Sequence, residues 1–264
     1  IHEQTLFAEP IFNIGNFFVT NSLISSWVSI VFIILVAFIL RRQISMIPGK
    51  LQLFFEMFFE YLLELVDAVT GNREKSLKIF PLILTFFLFI LVNNYLGLLP
   101  GVGTIGQIVK GEHENVFVPF LRGATADLNT TLALALIAVI SSHLLGIFKL
   151  GVWTHFNKFV NIQTLTKIPK EVFKNPIGSF ARIVEFFGGL IEIVGEISKI
   201  ASLSLRLFGN IFAGEVLIFS MASIFAYLIP IPFMFLELLV GVIQALVFSM
   251  LTLVFITLNT ESHA

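Results

Sequence analysis

Apolar residues along this chain fall into five long runs that are separated by polar segments. The runs are Trp27 to Leu40, Ile79 to Leu99, Leu128 to Phe148, Ile183 to Ile229 and Ile231 to Leu258. A helix needs about 20 apolar residues to cross the roughly 30 Å hydrocarbon core of a bilayer. The first run reaches that length only if the uncharged stretch from Phe17 onward belongs to it. The pattern predicts an all-α, polytopic membrane protein with about five membrane helices in one domain, residues 1–264.

Basic residues are unevenly distributed among the polar segments. Those between the first and second runs or between the third and fourth include Arg41, Arg42, Lys50, Arg73, Lys75, Lys78, Lys149, Lys158, Lys167, Lys170 and Lys174. Residues 1–26 contain none, and the segment from Pro100 to Asp127 contains only Lys110 and Arg122. Since Lys and Arg are enriched in cytoplasmic loops, we expect the N-terminal segment to lie outside and the C-terminus to lie in the cytoplasm.

Residues 51–70 are apolar enough to resemble a further span, but four acids recur among them every three or four residues. These acids are Glu56, Glu60, Glu64 and Asp67. One charged face on an otherwise apolar helix is typical of a helix that lies in the membrane interface. The acidic stripe has two interpretations, a solvated face or a docking surface for a partner subunit.

The fourth run is too long for an upright membrane helix. Residues 183 to 229 number 47, which corresponds to about 70 Å of helix. The run must either break or tilt strongly; the candidate break points are Gly188, Gly189 and Gly209. We expect a long tilted helix. Pro230 and Pro232 are then predicted to provide the turn into the last run, so that residues 183–258 form a tilted helical hairpin.

Charged residues inside this fourth run are the main candidates for function. Glu185, Glu192, Lys199 and Arg206 follow one another at intervals of seven residues. Each charge costs about 2.5 to 3.5 kcal/mol at the centre of a membrane helix, and a seven-residue step drifts by only about 20° around the axis. These residues therefore form one polar stripe, close to which Glu196 and Asn210 also fall. Glu215 lies about 180° around the helix from Arg206.

Two polar faces on one helix are what a protein needs to separate two water-accessible pathways. Structural explanations compete with this one. Arg206 could extend its guanidinium to the interface or form a buried Arg–Glu pair that only holds helices together. Lys199 could pair with Glu192 or Glu196 along the same helix.

The last run contains one acid, Glu237, and Gln244 follows it by seven residues on the same face. Gly241 lies between them and would allow a neighbouring helix to approach closely. The pattern indicates a polar lining that faces the long helix. A structural hydrogen bond between the two helices is the alternative interpretation.

Composition narrows the possible functions further. Hydrophobic residues make up 57% of the 264 residues, charged residues only 12%, and the mean hydropathy is +0.96. Cysteine is absent from the sequence, which excludes disulfides and thiolate chemistry. The sequence also has no P-loop and no His-Glu-x-x-His motif, so we expect no cofactor, no metal and no nucleic acid. Together with the charges inside the fourth run, this leads us to expect a non-catalytic protein that translocates ions.

Three segments resemble subunit a of the F-type ATP synthases. The most specific is Ser202-Leu-Ser-Leu-Arg206-Leu-Phe-Gly-Asn210, which continues through Ala213-Gly-Glu215. Asn93-Asn94-Tyr-Leu-Gly-Leu-Leu-Pro100, Ala124-Thr-Ala-Asp127-Leu-Asn129-Thr-Thr and the Glu237 to Gln244 spacing also match. The resemblance covers roughly residues 40 to 260. It implies a stator subunit with two offset half-channels beside a c-ring of rotor subunits, each of which carries an essential carboxylate.

The resemblance also implies roles for single residues. Arg206 is expected to face the rotor carboxylate. Glu215, Glu237, Asn210 and Gln244 are expected to line or adjoin the outer half-channel, Glu192 belongs to the inner one, and Glu196 and Ser202 lie on the same path. Some family members have His where this chain has Glu215 or Glu237.

The implied partners are the c-ring, the peripheral-stalk b subunits, the remainder of the ATP synthase and the lipid bilayer. The expected location is an energy-transducing membrane, the bacterial inner membrane before the thylakoid or mitochondrial one, with protons or sodium as the coupling ion. The competing function is a stand-alone secondary transporter or ion channel, which predicts inverted repeats and activity in isolation.

Overall fold

Helices dominate the computed structural model, which describes residues 8–15, 17–103, 105–110, 115–153, 176–225 and 228–260. The helices are α1 Asn21–Gln43, α2 Lys50–Thr70, α3 Arg73–Leu98, α4 Leu128–Leu150, α5 Pro176–Ile224 and α6 Pro230–Thr260. The strands are β1 Pro10–Ile14, β2 Phe17–Thr20, β3 Pro100–Gly103, β4 Gly106–Lys110 and β5 Asn115–Pro119. All of these helices except α2 contain a stretch long and apolar enough to cross a membrane. The predicted number of five spans is confirmed.

The first span begins later than expected. Residues Phe17–Thr20 form strand β2, which pairs with β1 in an antiparallel hairpin, and α1 starts at Asn21. The aromatic and β-branched composition of this segment is typical of a strand. The extension of the helix back to Phe17 is therefore wrong, but the 23 residues of α1 still span about 35 Å.

Helix α2 has the amphipathic character that its sequence predicts. Leu62 and Val66 are buried, whereas Glu56, Glu60 and Glu64 are exposed. The helix ends where Gly71, with φ +65°, donates its N–H to the Asp67 carbonyl oxygen at 2.9 Å. The Asp67 carboxylate pairs with Arg73 at the start of α3. Hydrogen bonds, first from Ser76 and then from Arg73, lower the pKa of Asp67 below its usual value.

Helix α5 runs without a break through all three candidate glycines. Its 49 residues correspond to about 74 Å. Even the apolar part, Ile191–Ile224 with 34 residues, is about 50 Å long, so it must lie strongly inclined to remain within a bilayer core of about 30 Å. Helix α6 begins at Pro230 itself, where the missing proline N–H costs no helical hydrogen bond.

The helices pack around a common core. Helix α3 packs against α6, and α4 packs against both α5 and α6. Ile90 of α3, Leu203 and Leu207 of α5 and Phe248 of α6 are buried there. Most large apolar side chains on the opposite faces of these helices are exposed, as expected for surfaces that contact lipid.

The two ends of the helix bundle differ in character. One end, here called the loop end, carries both hairpins and the described residues 99–103, 105–110 and 115–127. Hydrogen bonds join these pieces, including Gln107 Nε2 to the Ile11 carbonyl at 3.1 Å and the Ala8 N–H to Asp127 Oδ1 at 3.2 Å. The other end, here called the basic end, carries Arg41, Arg42, Lys75, Lys78 and Lys149. Of the basic residues predicted at this end, Lys158, Lys167, Lys170 and Lys174 lie outside the described residues.

Candidate ion-translocation site

Arg206 lies on an exposed face of α5. Ser202, Arg206 and Asn210 follow one another at helical spacing and are all exposed in this chain, whereas Leu203 and Leu207 on the other side are buried in the core. The Arg206 guanidinium donates to Ser202 Oγ at 3.2 Å. The local sequence explains this arrangement, because bulky apolar residues alternate around the helix with polar and small ones.

The structural explanations for Arg206 do not fit this geometry. Arg206 is 15 residues from Ile191 and 18 from Ile224, the ends of the apolar stretch, and these separations correspond to about 22 and 27 Å along the helix. That is too far for the side chain to reach either end. Among the described residues, no carboxylate lies within 4.0 Å of the guanidinium, so the expected alternative of a buried Arg–Glu pair is not found there.

On the loop-end side of Arg206, Glu215 contacts a basic residue from another part of the chain. Its Oε2 lies 3.7 Å from Nε of Arg122, and both side chains are nearly buried. Arg122 Nη2 also donates to the Ala126 carbonyl at 3.4 Å. Glu215 and Arg122 line a cavity of about 50 Å³ together with Gly97 and Gly123. A cavity of that size has room for one or more water molecules.

Glycines make this cavity possible. A Cβ atom at Gly123 would lie 2.8 Å from Glu215 Oε1, and one at Gly97 would lie 3.2 Å from the Gly123 Cα. Larger residues at either position would therefore displace the carboxylate or close the space around it.

Glu237 of α6 is directed at the same part of α5. Its carboxylate lies directly against Gly214, the residue before Glu215, in space that any Cβ at that position would occupy. Glu237 is 7% exposed, and its Oε1 has no hydrogen-bond partner among the described residues. A buried oxygen in that condition is costly unless water or a proton satisfies it. Gln244, two helical turns further along α6, is half-buried.

Asparagine side chains fix α6 beside this cluster. Asn94 of α3 donates through Nδ2 to the Gly241 carbonyl at 3.0 Å and accepts from Thr125 Oγ1 at 2.7 Å. Ser29 Oγ of α1 donates to the neighbouring Asn93 at 2.8 Å. These bonds join α1, α3, α6 and the loop end around Glu237.

A second cluster lies on the basic-end side of Arg206. Lys199 Nζ donates to Glu196 Oε1 at 2.6 Å, and His143 Nε2 of α4 lies 3.3 Å from Glu196 Oε2. The Lys199 ammonium also lies 5.0 Å from the centre of the Phe255 ring in α6, within the range of a cation–π interaction. Glu192, one turn nearer the basic end, is half-buried.

The structure brings some of the predicted residues together and separates others. Glu237 packs against Gly214, the residue before Glu215, and Ser202 and Asn210 flank Arg206 on α5. Glu196 is only 9% exposed and turns toward α4, so it does not share the exposed face of Arg206 on which the sequence spacing placed it. The side chain of Glu185 lies outside the described residues.

Two residues of these clusters were not predicted from the sequence. Arg122 was noted only as one of two basic residues in its loop, and this isolation on the less basic side was the one available signal. For His143, the only indication of a functional role in the sequence was that a polar residue lies within an apolar run. Within the described residues, no three His, Asp or Glu side chains group closely enough to hold a metal ion.

The two clusters lie on either side of Arg206 along one helix. The ten residues from Glu196 to Arg206 and the nine from Arg206 to Glu215 correspond to about 15 and 13 Å. Arg206 therefore lies between the two clusters along the helix axis, on the exposed face of α5.

Comparison with known proteins finds similarity over most of this chain. The family model described as ATP synthase A chain matches residues 23–257. ATP synthase subunit a of Gloeobacter violaceus is 35% identical over 92% of this chain and 85% of its own length. The protein of the same name from Geobacter sulfurreducens is 34% identical over 89% and 86%, and that of Moorella thermoacetica is 28% identical over 96% of both chains. The chain therefore belongs to the ATP synthase A chain family, the family of the proton-translocating stator subunit of F-type ATP synthases.

Proposed function

We propose that Arg206 faces the ionisable carboxyl group of a c-ring subunit, and that the clusters on either side of it belong to two separate half-channels. One observation carries this proposal. Arg206 is exposed on α5 and lies between Glu196 and Glu215 along the helix. The side chains of these two acids are largely buried, and each contacts a basic residue of its own cluster.

The chemistry follows from the charge of Arg206. A guanidinium in a site of low dielectric constant favours the ionised form of a carboxyl group that passes close to it. A protonated rotor site must therefore release its proton before it reaches Arg206 and can take up another only after it has passed. Net proton movement is then possible only when the ring turns, which couples transport to rotation.

The outer half-channel in this proposal ends at Glu215 and Glu237, beside Asn210 and Gln244. The cavity at Glu215 provides room for water, and the unpartnered oxygen of Glu237 provides a site for a proton. Arg122 holds the Glu215 carboxylate in position. Carboxyl groups and water together form the kind of proton relay that membrane pumps use.

The inner half-channel uses Glu192 and Glu196, with Ser202 between them and Arg206. His143 and Lys199 orient Glu196 from two sides. The basic end faces the cytoplasm in this arrangement, because Lys and Arg are enriched there. The N-terminal segment then lies outside and the C-terminus inside the bacterial membrane, with the b subunits as the stationary partners.

Substitution of Arg206 tests the proposal. With Arg206→Ala, a rotor carboxyl group can pass the stator while protonated, so passive proton flow persists while ATP synthesis and ATP-driven pumping are lost. Arg206→Lys is expected to impair coupling as well, since an ammonium lacks the planar geometry of guanidinium and loses its proton more readily when buried. The assembled complex is reconstituted in liposomes, a potassium diffusion potential is imposed, and internal pH is followed.

Arg42→Ala serves as the matched control, because it removes one arginine at the basic end of α1, outside both clusters. It is expected to leave coupling unchanged. An assembled Arg206→Ala complex that synthesises ATP at the wild-type rate would refute the proposal. Loss of synthesis without any passive flow would show that Arg206 is needed for proton release and would refute its role as a barrier.

A further inference from the structure

A crevice of about 380 Å³ opens at the basic end between α3, α4 and α6, on residues that neither cluster uses. Its mouth carries Lys75 and Lys78 of α3 and Lys149 of α4, and its walls include Ile79, Leu145 and Phe148. The volume lies within the range of about 300 to 1,000 Å³ that is usual for small-molecule sites. Phe148 is 83% exposed, so its ring forms an open apolar wall.

The three lysines have no acidic partner within the part of the chain that the structure describes. No carboxylate there lies within 4.0 Å of their ammonium groups. Basic residues alone are ordinary at this end of a membrane protein. These three differ from the others because apolar walls extend from them toward the membrane interior, Leu145 being one helical turn from Lys149.

A second crevice shows what the lysines add. It has a volume of about 220 Å³, lies between α1, α2 and α3, and is lined by Val36, Phe55, Phe59 and other apolar residues, with no Lys or Arg among its lining residues. Both crevices suit an acyl chain. Only the one with the lysines can also distinguish an anionic head group from a zwitterionic one.

We propose that the crevice between α3, α4 and α6 binds one anionic phospholipid of the phosphatidylglycerol type. The lysines contact the phosphate of the head group, and an acyl chain lies along Ile79, Leu145 and Phe148. Basic pockets between membrane helices bind anionic head groups in this way. The lipid would tie together the ends of α4 and α6, which both contact the helices that carry the two clusters.

The lysines set the expected strength of the preference. Each Lys near an anionic membrane surface contributes about 1 kcal/mol, a factor of roughly five in affinity. Loss of three charges is therefore expected to weaken binding of the anionic lipid on the order of 100-fold. Binding of phosphatidylcholine, which carries no net charge, should change little.

Native mass spectrometry of the assembled, delipidated complex tests the proposal. Phosphatidylglycerol or phosphatidylcholine is added, and lipid that remains on this subunit after its release in the gas phase is counted. The wild-type chain is expected to retain one phosphatidylglycerol in preference to phosphatidylcholine. The variant Lys75→Gln/Lys78→Gln/Lys149→Gln should lose this preference.

A matched control removes three charges elsewhere at the same end, as Arg41→Gln/Arg42→Gln/Lys50→Gln, and should retain the preference because none of these residues lines the crevice. If both variants lost the preference for phosphatidylglycerol equally, the preference would come from the general positive charge of this end, and the proposed site would be refuted. A wild-type chain that shows no preference between the two lipids would also refute the proposal. That result is expected if another protein segment fills the crevice. If inorganic phosphate displaced bound phosphatidylglycerol as effectively as added phosphatidylglycerol does, the crevice would be a phosphate site and the lipid proposal would be refuted.

Discussion

Glu237 and Glu196 are buried to almost the same extent, 7% and 9% exposed, yet their surroundings differ. Glu196 has Lys199 at one oxygen and His143 at the other. Each has one oxygen without a hydrogen-bond partner in the described part of the chain, Oε2 of Glu196 and Oε1 of Glu237. Glu237, however, has no basic side chain within 4.0 Å among the described residues, and it packs against the bare backbone of Gly214. Burial alone therefore does not define the role of a membrane carboxyl group; its neighbours do.

The difference suggests a division of work between the two clusters. Glu196 lies between the side chains of Lys199 and His143, and its hydrogen bond from Lys199 is charge-assisted, which favours a fixed local charge. Glu237 has no basic side chain within 4.0 Å in the described chain, and Glu215 lines a cavity with room for water; such surroundings suit groups that exchange protons with water. We expect substitutions in the Glu215 cluster to affect transport more strongly than substitutions in the Glu196 cluster.

The largest effect is expected for the adjacent pair Glu215 and Glu237. Replacement of either by Gln should lower ATP-driven proton pumping on the order of 100-fold, the scale of a lost proton-transfer group. Because Glu237 packs against Gly214, the residue before Glu215, we expect the two acids to act together, so the double variant should be little worse than either single one, with an interaction of about 0.5 to 3 kcal/mol. Pumping is measured in inverted vesicles, with Glu60→Gln on the exposed face of α2 as the control. If the free-energy effects of Glu215→Gln and Glu237→Gln on pumping simply added in the double variant, the two residues would not act as a pair.

A smaller but still large effect is expected for Arg122. Arg122→Gln leaves the nearly buried Glu215 without its cation, and removal of one partner of a buried ion pair typically costs about 3 to 5 kcal/mol. We expect a lower thermal midpoint of the purified complex together with slower pumping.

A second variant distinguishes destabilisation by the unpaired Glu215 charge from destabilisation by lost packing of the Arg122 side chain. In Arg122→Gln/Glu215→Gln the unpaired charge is gone, so the thermal midpoint should recover relative to Arg122→Gln while pumping stays low. A double variant as unstable as the single one would show that Arg122 acts through its other contacts, such as that with Ala126.

An intermediate effect is expected on the basic-end side of Arg206. Glu192→Gln and Glu196→Gln should each slow ATP-driven pumping several-fold without abolishing it, since polar groups and water remain nearby. His143→Gln, which keeps a polar side chain beside Glu196, should have a similar or smaller effect. Wild-type rates in vesicles that contain fully assembled Glu192→Gln and Glu196→Gln complexes would exclude a relay role for both.

The smallest effect is expected from a single added methyl group. Gly214→Ala places a Cβ in the space of the Glu237 carboxylate, so this side chain must shift, and pumping should fall by a small factor. Gly188→Ala adds the same group to the same helix where nothing lies within 4 Å, and it should be neutral or stabilise the helix by up to about 1 kcal/mol. Equal pumping rates for both variants would show that the position of Glu237 is not critical.

Much of the architecture could be predicted because the bilayer imposes simple rules on the sequence. Apolar run length predicted the five spans, and charge periodicity predicted the amphipathic α2. The start of α1 was predicted wrongly, because the apolar composition of Phe17–Thr20 is compatible with either a strand or a helix. The hairpins at the loop end were not predicted, because short strands there depend on pairing with each other.

The sequence by itself determined which helix carries the charges and that Arg206 and Glu215 point to different sides of it, because helical periodicity is local. Only the tertiary structure decided their partners. Arg122 meets Glu215 from a loop 93 residues earlier in the chain, and His143 meets Glu196 from another helix. Hydrophobic length places a helix in the membrane but leaves its rotation and neighbours open, and these depend on how the side chains of several helices fit together.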